Sequence, residues 1–275
     1  MTYQQLWHRI AKVYGDNEAQ AIARLIYEVR YGLTLSDLLM GRDSGVPQDE
    51  LEQIALRLER QEPVQYVLGQ ADFCGRTFVV NEHVLIPRPE TAELCQWIIA
   101  TDATHILDIG TGSGCIAITL VAEMPEVEVT AWDISEEALK VAEENAKRTH
   151  IHVSFEQVDV LHLPSDISHL TSAFDLIVSN PPYICNKECK AMEPNVLEHE
   201  PHTALFVPDD DPLLFYRAIA QYGQTALKDG GWLYFEINPL YAQELCDMLC
   251  AMHYCCIEVK EDQYGKQRMI RARKM

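Results

Sequence analysis

His105-Ile106-Leu107-Asp108-Ile109-Gly110-Thr111-Gly112-Ser113-Gly114 reads as a short apolar strand, a glycine-rich turn and the start of a buried helix, since Ile116-Ala117-Ile118-Thr119-Leu120-Val121 continues the apolar run. Glycines at alternate positions let backbone come close to a ligand, and the free N–H groups of a helix start favour a carboxylate or another anion. The turn is therefore of the nucleotide-binding βα kind. The dinucleotide fingerprint wants a glycine at 115, where Cys115 stands, so NAD and FAD are disfavoured.

Downstream, acidic residues recur at strand ends. Val127-Glu128-Val129-Thr130-Ala131-Trp132 ends in Asp133, with Ser135 as the next helix N-cap, and an acid there can accept both hydroxyls of a ribose. A third strand over 152–158 ends at Asp159-Val160, where the carboxylate suits an adenine amine and the Val160 N–H suits the ring. The fourth strand, Phe174-Asp175-Leu176-Ile177-Val178, is too apolar for a solvated face and too short for a helix.

That strand runs into Ser179-Asn180-Pro181-Pro182-Tyr183. Two prolines fix φ and remove two N–H groups, leaving carbonyls held in place without ladder partners. The Asn180 carboxamide oxygen and the Pro181 carbonyl can then accept both hydrogens of a planar NH2, with Pro182 stiffening the loop and the Tyr183 ring flanking the amine. In a doubly wound sheet of the usual order, strands one and four are neighbours, and ligands bind outside their carboxyl ends. Gly110, Thr111, Gly112, Ser113 and Gly114 then lie beside Asn180. A nucleoside cofactor held by the glycine turn, Asp133, Asp159 and Val160 would point its reactive end at the amine cradle. S-adenosylmethionine fits, because its methyl can pass directly to an oriented nitrogen.

The glycine turn, Asp133 and Asn180-Pro181-Pro182-Tyr183 resemble the class I amino methyltransferases. That group includes amide and nucleobase enzymes, so the motif alone leaves the substrate open. Ile86-Pro87-Arg88-Pro89-Glu90-Thr91, Glu62-Pro63-Val64-Gln65-Tyr66-Val67-Leu68-Gly69 and Glu200-Pro201-His202-Thr203-Ala204-Leu205-Phe206 are similar to the HemK family, the glutamine methyltransferases of peptide chain release factors. The resemblance spans roughly residues 60 to 275. It implies a Rossmann-like fold with a seven-stranded, mostly parallel sheet and an antiparallel carboxyl-terminal hairpin. It also implies methylation of the glutamine amide in the Gly-Gly-Gln loop of release factors one and two, with Asn180 and the Pro181 carbonyl holding the amide and Tyr183 beside it. The chain departs from the family at Asp209-Asp210-Asp211-Pro212-Leu213 and at Glu236-Ile237-Asn238-Pro239, which lacks the usual glycine. Neither departure is expected to touch the cradle. The competing readings are a nucleobase methyltransferase acting on adenine N6 or guanine N2 in RNA or DNA, and a catalytically idle cofactor-binding scaffold.

Upstream, residues 1–70 read as a helical bundle, with Leu6, Ile10 and Val13 on one face, Ile22, Leu25, Ile26 and Val29 on a second and Leu51, Ile54, Ala55 and Leu58 on a third. Ser36 reads as an N-cap, and Pro47 lies near a helix start. Nothing in the bundle is arranged for catalysis, so a partner-binding role is expected. Residues 71–85 read as a hairpin linker and 86–275 as the methyltransferase domain, with Arg88 a candidate contact for cofactor or substrate. Gly230-Gly231 reads as a turn before a fifth strand, Trp232 to Ile237.

A net charge of −20 over 275 residues repels a phosphate backbone, and the closest thing to a basic cluster, Lys266, Arg268, Arg271, Arg273 and Lys274, reads as the solvated face of the last strand. Direct nucleic-acid binding is not expected. The amino terminus lacks signal-peptide character and no apolar run reaches membrane-spanning length, so a cytoplasmic monomer is expected. The nine cysteines have no paired CxxC spacing, so they read as reduced thiols without a metal site.

Overall fold

A computed structural model describes residues 1–163 and 173–275. The chain forms two units, Met1–Gln70 with Met192–His199, and Ala71–Ala191 with Glu200–Met275.

The first unit is helical. Thr2 and Gln5 close a reciprocal capping box at the start of α1 (Tyr3–Tyr14), and the buried Asp43 carboxylate accepts the Tyr3 N–H at 2.6 Å. An acid is favourable there because it meets the unpaired N–H groups and positive end of the helix. Gly15, with φ 74°, ends α1 and leads into α2 (Asp16–Tyr31). At α3 (Leu35–Leu39) the cap is Thr34 rather than the expected Ser36: the Thr34 hydroxyl accepts from Asp37 N, and the Asp37 carboxylate accepts from Thr34 N. The three-residue spacing decides this, and Ser36 falls inside the first turn. α4 (Gln48–Glu59) begins after Pro47, and α5 (Val64–Leu68) ends at Gly69.

Leu6, Ile10, Ile22, Ile26, Leu51, Ile54, Ala55 and Leu58 form the core of this unit. Val13 and Val29, expected there, are exposed. Tyrosines close the seam instead: Tyr14 donates to the Leu58 carbonyl at 2.9 Å, and Tyr27 donates to the Met1 carbonyl at 3.0 Å. A large ring that also satisfies a carbonyl shifts the buried face by one residue at Tyr14 and by two at Tyr27.

At the start of the second unit, β1 (Gln70–Phe73, its first residue the last of the helical unit) and β2 (Arg76–Val79) make a hairpin whose turn residues Cys74 and Gly75 both have positive φ, 47° and 74°. That pair matches the right-handed strand twist. There follow α6 (Pro89–Ile99), with Pro89 in its first turn where the lost N–H costs nothing, β3 (His105–Ile109), α7 (Cys115–Glu123), β4 (Glu128–Asp133), α8 (Glu136–Thr149) and β5 (Ser154–Gln157). Then come β6 (Phe174–Ser179), β7 (Ile184–Cys185), α9 (Pro194–His199, in the first unit), β8 (Phe206–Val207) and α10 (Leu214–Ala226). The chain ends with β9 (Leu227–Glu236), α11 (Ala242–Ala251), β10 (Tyr254–Glu261) and β11 (Gln267–Lys274).

Seven strands form one sheet in the order β10-β11-β9-β6-β3-β4-β5. β9, β6, β3, β4 and β5 are parallel, while β11 runs antiparallel to both β9 and β10. Alternation along the strands separates two cores. Ile106, Leu176 and Tyr234 pack with Leu94 and Ile98 of α6 and Ile116 and Leu120 of α7, whereas Leu107, Ile177 and Leu233 pack with Ile219 of α10 and Leu245 and Leu249 of α11. Burying each such side chain stabilises by roughly 1.5–3 kcal/mol.

Two expectations change here. β9 begins at Leu227 and runs through Gly230-Gly231, with a register shift opposite Phe174 and Leu176, so the glycines form an irregularity within the strand and not a turn before it. The carboxyl-terminal cations are also not a simple solvated face. The Arg271 guanidinium lies 4.8 Å from the Trp97 ring and 4.9 Å from the Trp232 ring, and its Nη2 donates to Glu258 at 2.5 Å. Two aromatic rings and a carboxylate already engage this charge.

Candidate active site

Register brings the decisive loops together. Ile109 at the end of β3 is level with Trp132 on one side and Ser179 on the other, and the Ser179 hydroxyl donates to the Ile109 carbonyl at 2.6 Å. The glycine turn and Asn180 therefore leave adjacent strand ends. Between them lies a cavity of ≈ 500 Å³, a volume typical of small-ligand sites. Gly110, Thr111, Gly112, Ser113, Asp133, Asp159, Val160, Asn180, Pro181 and Pro182 line it, as do Arg88 and His83 to Ile86 from the preceding segment. Gly114 and Tyr183 do not.

The donor wall is built mainly from backbone. Gly110 N and Thr111 N donate to the Trp132 carbonyl at 2.8 and 2.9 Å, and Gly112 N donates to Asp133 Oδ2 at 2.9 Å. Asp133 Oδ1 accepts from Ser135 N at 2.9 Å, so one carboxylate locks the turn to the end of β4. Burial pushes the Asp133 carboxyl up, against the opposing pull of the Ser135, Gly112 and Ile134 N–H groups. Gly110 and Gly112 have φ of 74° and 55°, and a Cβ on either would meet nothing within 4 Å, so both border open cavity. Gly114 differs: a Cβ there would lie 3.1 Å from Ile118 and 3.2 Å from Ala142, so this glycine lets α7 and α8 approach. Behind the turn, the Thr111 hydroxyl donates to Asp108 at 2.7 Å, and full burial pushes the Asp108 carboxyl up to about 7. Asp159 lies in the wall, but its carboxylate is engaged locally, 2.7 Å from His162 Nδ1 and 2.9 Å from Leu161 N.

The acceptor wall is built from side chains. Asn180 Nδ2 donates to Thr91 Oγ1 at 3.3 Å, and Thr91 Oγ1 donates to Glu236 Oε2 at 2.6 Å. Among the described residues nothing donates to Asn180 Oδ1 or to the Pro181 carbonyl. Tyr183 is not among the residues lining the cavity: its hydroxyl donates to Glu236 Oε1 at 3.0 Å and its ring packs against the core on the α10 side. Glu236 is buried, and desolvation pushes its carboxyl up while the Thr91 and Tyr183 hydroxyls oppose the shift. Asn238 Nδ2 donates to the Tyr183 carbonyl at 3.1 Å.

The expectation that Glu236-Ile237-Asn238-Pro239 leaves the cradle untouched is therefore overturned. Glu236 reaches it through both Thr91 and Tyr183, and Asn238 supports the loop backbone. Thr91, Glu236 and Ser179 were not singled out from sequence. Glu236 carries the same signal that marked Asp133, an acid closing an apolar strand. Arg88 Nη2 donates to the buried Glu200 at 2.6 Å from its place in the wall. Asp209 and Asp211 bond Lys187 N and Arg217, and neither lines the cavity.

The sheet order, the cavity at its reversal point and the Asn-Pro-Pro-Tyr loop define a Rossmann-like methyltransferase, and a family model described as a methyltransferase domain matches residues 100–236. A methyltransferase from Pyrococcus furiosus shares the fold, with a TM-score of 0.53 at 15% identity, covering 81% of this chain and 98% of that one. The PrmC N-terminal domain model matches residues 4–69. The chain belongs to the release factor glutamine methyltransferase family. The relative of that name from Bacteroides thetaiotaomicron is 48% identical over 94% of each chain, and the one from Flavobacterium psychrophilum is 40% identical over 97% of this chain and 96% of its own. Among the described residues no helix is long and apolar enough to cross a membrane.

Proposed function

We propose that the protein methylates the side-chain amide nitrogen of the glutamine in the Gly-Gly-Gln loop of release factors one and two, using S-adenosylmethionine, as a cytoplasmic monomer. The observation that carries this reading is the polarity of Asn180. Its NH2 is taken by Thr91, so its oxygen is left for a donor in the cavity, and beside it the Pro181 carbonyl is a second acceptor. Two acceptors of this kind match the two hydrogens of a primary amide.

The wall residues fit the cofactor. The open space beside Gly110 and Gly112 admits a ligand against bare backbone, and Asp133 is an acid placed for ribose hydroxyls. Asp159 and Val160 line the part of the cavity assigned to the adenine. When bound, the cofactor supplies an electrophilic methyl. Asn180 and Pro181 hold the amide nitrogen in line and stabilise the positive charge that grows on its N–H groups, which compensates for the weak nucleophilicity of an amide. Tyr183 acts indirectly, by filling the second oxygen of Glu236. No strong base is required in this scheme, because the N-methylated amide is cationic and strongly acidic until it gives up its extra proton, which water can take.

The helical unit is assigned to partner binding, since none of its residues line the cavity. Removal of residues 1–70 with undiminished transfer to whole release factor would contradict that assignment. The nucleobase alternative is not favoured by the named relatives, and a net charge of −20 weighs against a phosphate backbone. Incubation with labelled S-adenosylmethionine and either purified release factor or total RNA tests the proposal. Label on the glutamine of release factor is expected. Label on RNA alone supports the nucleobase reading, and cofactor binding without transfer supports the scaffold.

A further inference from the structure

Asn180 can bind an NH2 only if its carboxamide faces the cavity oxygen-first, and a carboxamide has two orientations of nearly the same shape. The hydrogen-bond chain behind it selects one. Glu236 accepts at both oxygens: Oε2 takes the Thr91 hydroxyl proton at 2.6 Å and Oε1 takes the Tyr183 proton at 3.0 Å. A hydroxyl has one proton. With that proton committed to Glu236, Thr91 turns a lone pair toward Asn180, 3.3 Å away, and only the NH2 end of the carboxamide can meet it.

We infer that Thr91 is a positioning residue whose hydroxyl, polarised by Glu236, dictates that Asn180 presents its oxygen to the substrate. The inference rests on the proposed role of Asn180 as acceptor and deepens it. The reversed carboxamide would set its oxygen against the Thr91 lone pair and its NH2 against the incoming amide, opposing two donors across the cavity. The positioning groups come from three segments: the first turn of α6, the end of β9 and the loop after β6.

The test measures kcat, the KM for release factor and cofactor affinity separately, after wild-type protein has been shown to label release factor. Failure of that first step counts against the proposed function and not against the relay. Thr91→Val keeps the shape and removes the hydroxyl, and should lower kcat by about 100-fold, the scale seen when one oriented polar group is lost from a reacting centre, with cofactor affinity unchanged. Thr91→Ser, which restores the hydroxyl, should recover most of the loss. A Thr91→Val protein whose kcat stays near wild type overturns the inference, as does a loss that serine fails to rescue.

Should Thr91→Val fail to fold, a charge swap decides. Asn180→Asp places two carboxylates on one hydroxyl and should be nearly inactive. Adding Glu236→Gln lets the new amide donate to Thr91, which then donates to Asp at 180, so the double variant should exceed Asn180→Asp by about 10-fold or more. A double variant no better than that single one overturns the inference.

Discussion

The two walls of the cavity are made differently. The donor wall is mostly backbone: N–H groups of consecutive residues at one strand end, fastened by Asp133, with two glycines at positive φ opening onto the cavity. The acceptor wall is a side-chain circuit, Asn180 to Thr91 to Glu236 to Tyr183, drawn from positions up to 145 residues apart. A backbone wall tolerates changes of side chain but not of conformation. A side-chain circuit has the opposite sensitivity, because each proton is committed and removing one partner reorients the next.

The largest expected effect lies on the acceptor side. Asn180→Ala should lower kcat by about 10²–10³-fold while cofactor affinity holds, since one oriented acceptor at the reacting nitrogen is lost. Equal losses in kcat and affinity, by steady-state kinetics and calorimetry, would erase the distinction between the walls. Asp133→Ala should show the reverse emphasis. Losing its bond from Gly112 and the ribose contact proposed for it should weaken cofactor binding by roughly 10–100-fold, at about 1.5–3 kcal/mol for a charged hydrogen bond, with kcat at saturation largely kept.

Those two positions were legible in the sequence because each carries its signal locally. An acid closing a β-strand and an Asn before two prolines can be read within a few residues, as can a strand, a glycine turn and a helix. The sheet order followed from the same pattern, and the strand register then placed Gly110 beside Asn180. Thr91 and Glu236 were not legible as partners, because no local periodicity links residues 145 apart in sequence. The hydroxyl bond of Tyr183 was not legible for a related reason: its partner is a buried carboxylate contributed by β9. Ser36 lost the helix cap to Thr34 through spacing, and Val13 and Val29 lost the bundle seam to tyrosines whose hydroxyls bond distant carbonyls.

Glycine substitutions sharpen the comparison within the donor wall. Gly112→Ala should weaken cofactor binding, since its methyl would project into the open cavity. Gly114→Ala should instead lower the melting temperature, because its methyl would press on Ile118 and Ala142. If both variants lose cofactor affinity alike with no change in melting temperature, the division of labour among the glycines is wrong. The smallest effect is expected where the walls join. Ser179→Ala removes the hydroxyl bond to the Ile109 carbonyl and should cost about 1 kcal/mol by denaturant titration, with a modest fall in kcat as the strand ends loosen.

The most direct measurement is a crystal structure with S-adenosylmethionine and a peptide carrying the Gly-Gly-Gln loop. The methyl carbon should lie about 3–3.5 Å from the glutamine amide nitrogen, whose hydrogens point to Asn180 Oδ1 and the Pro181 carbonyl. A glutamine amide bonded elsewhere, or a methyl directed away from Asn180, would contradict the account.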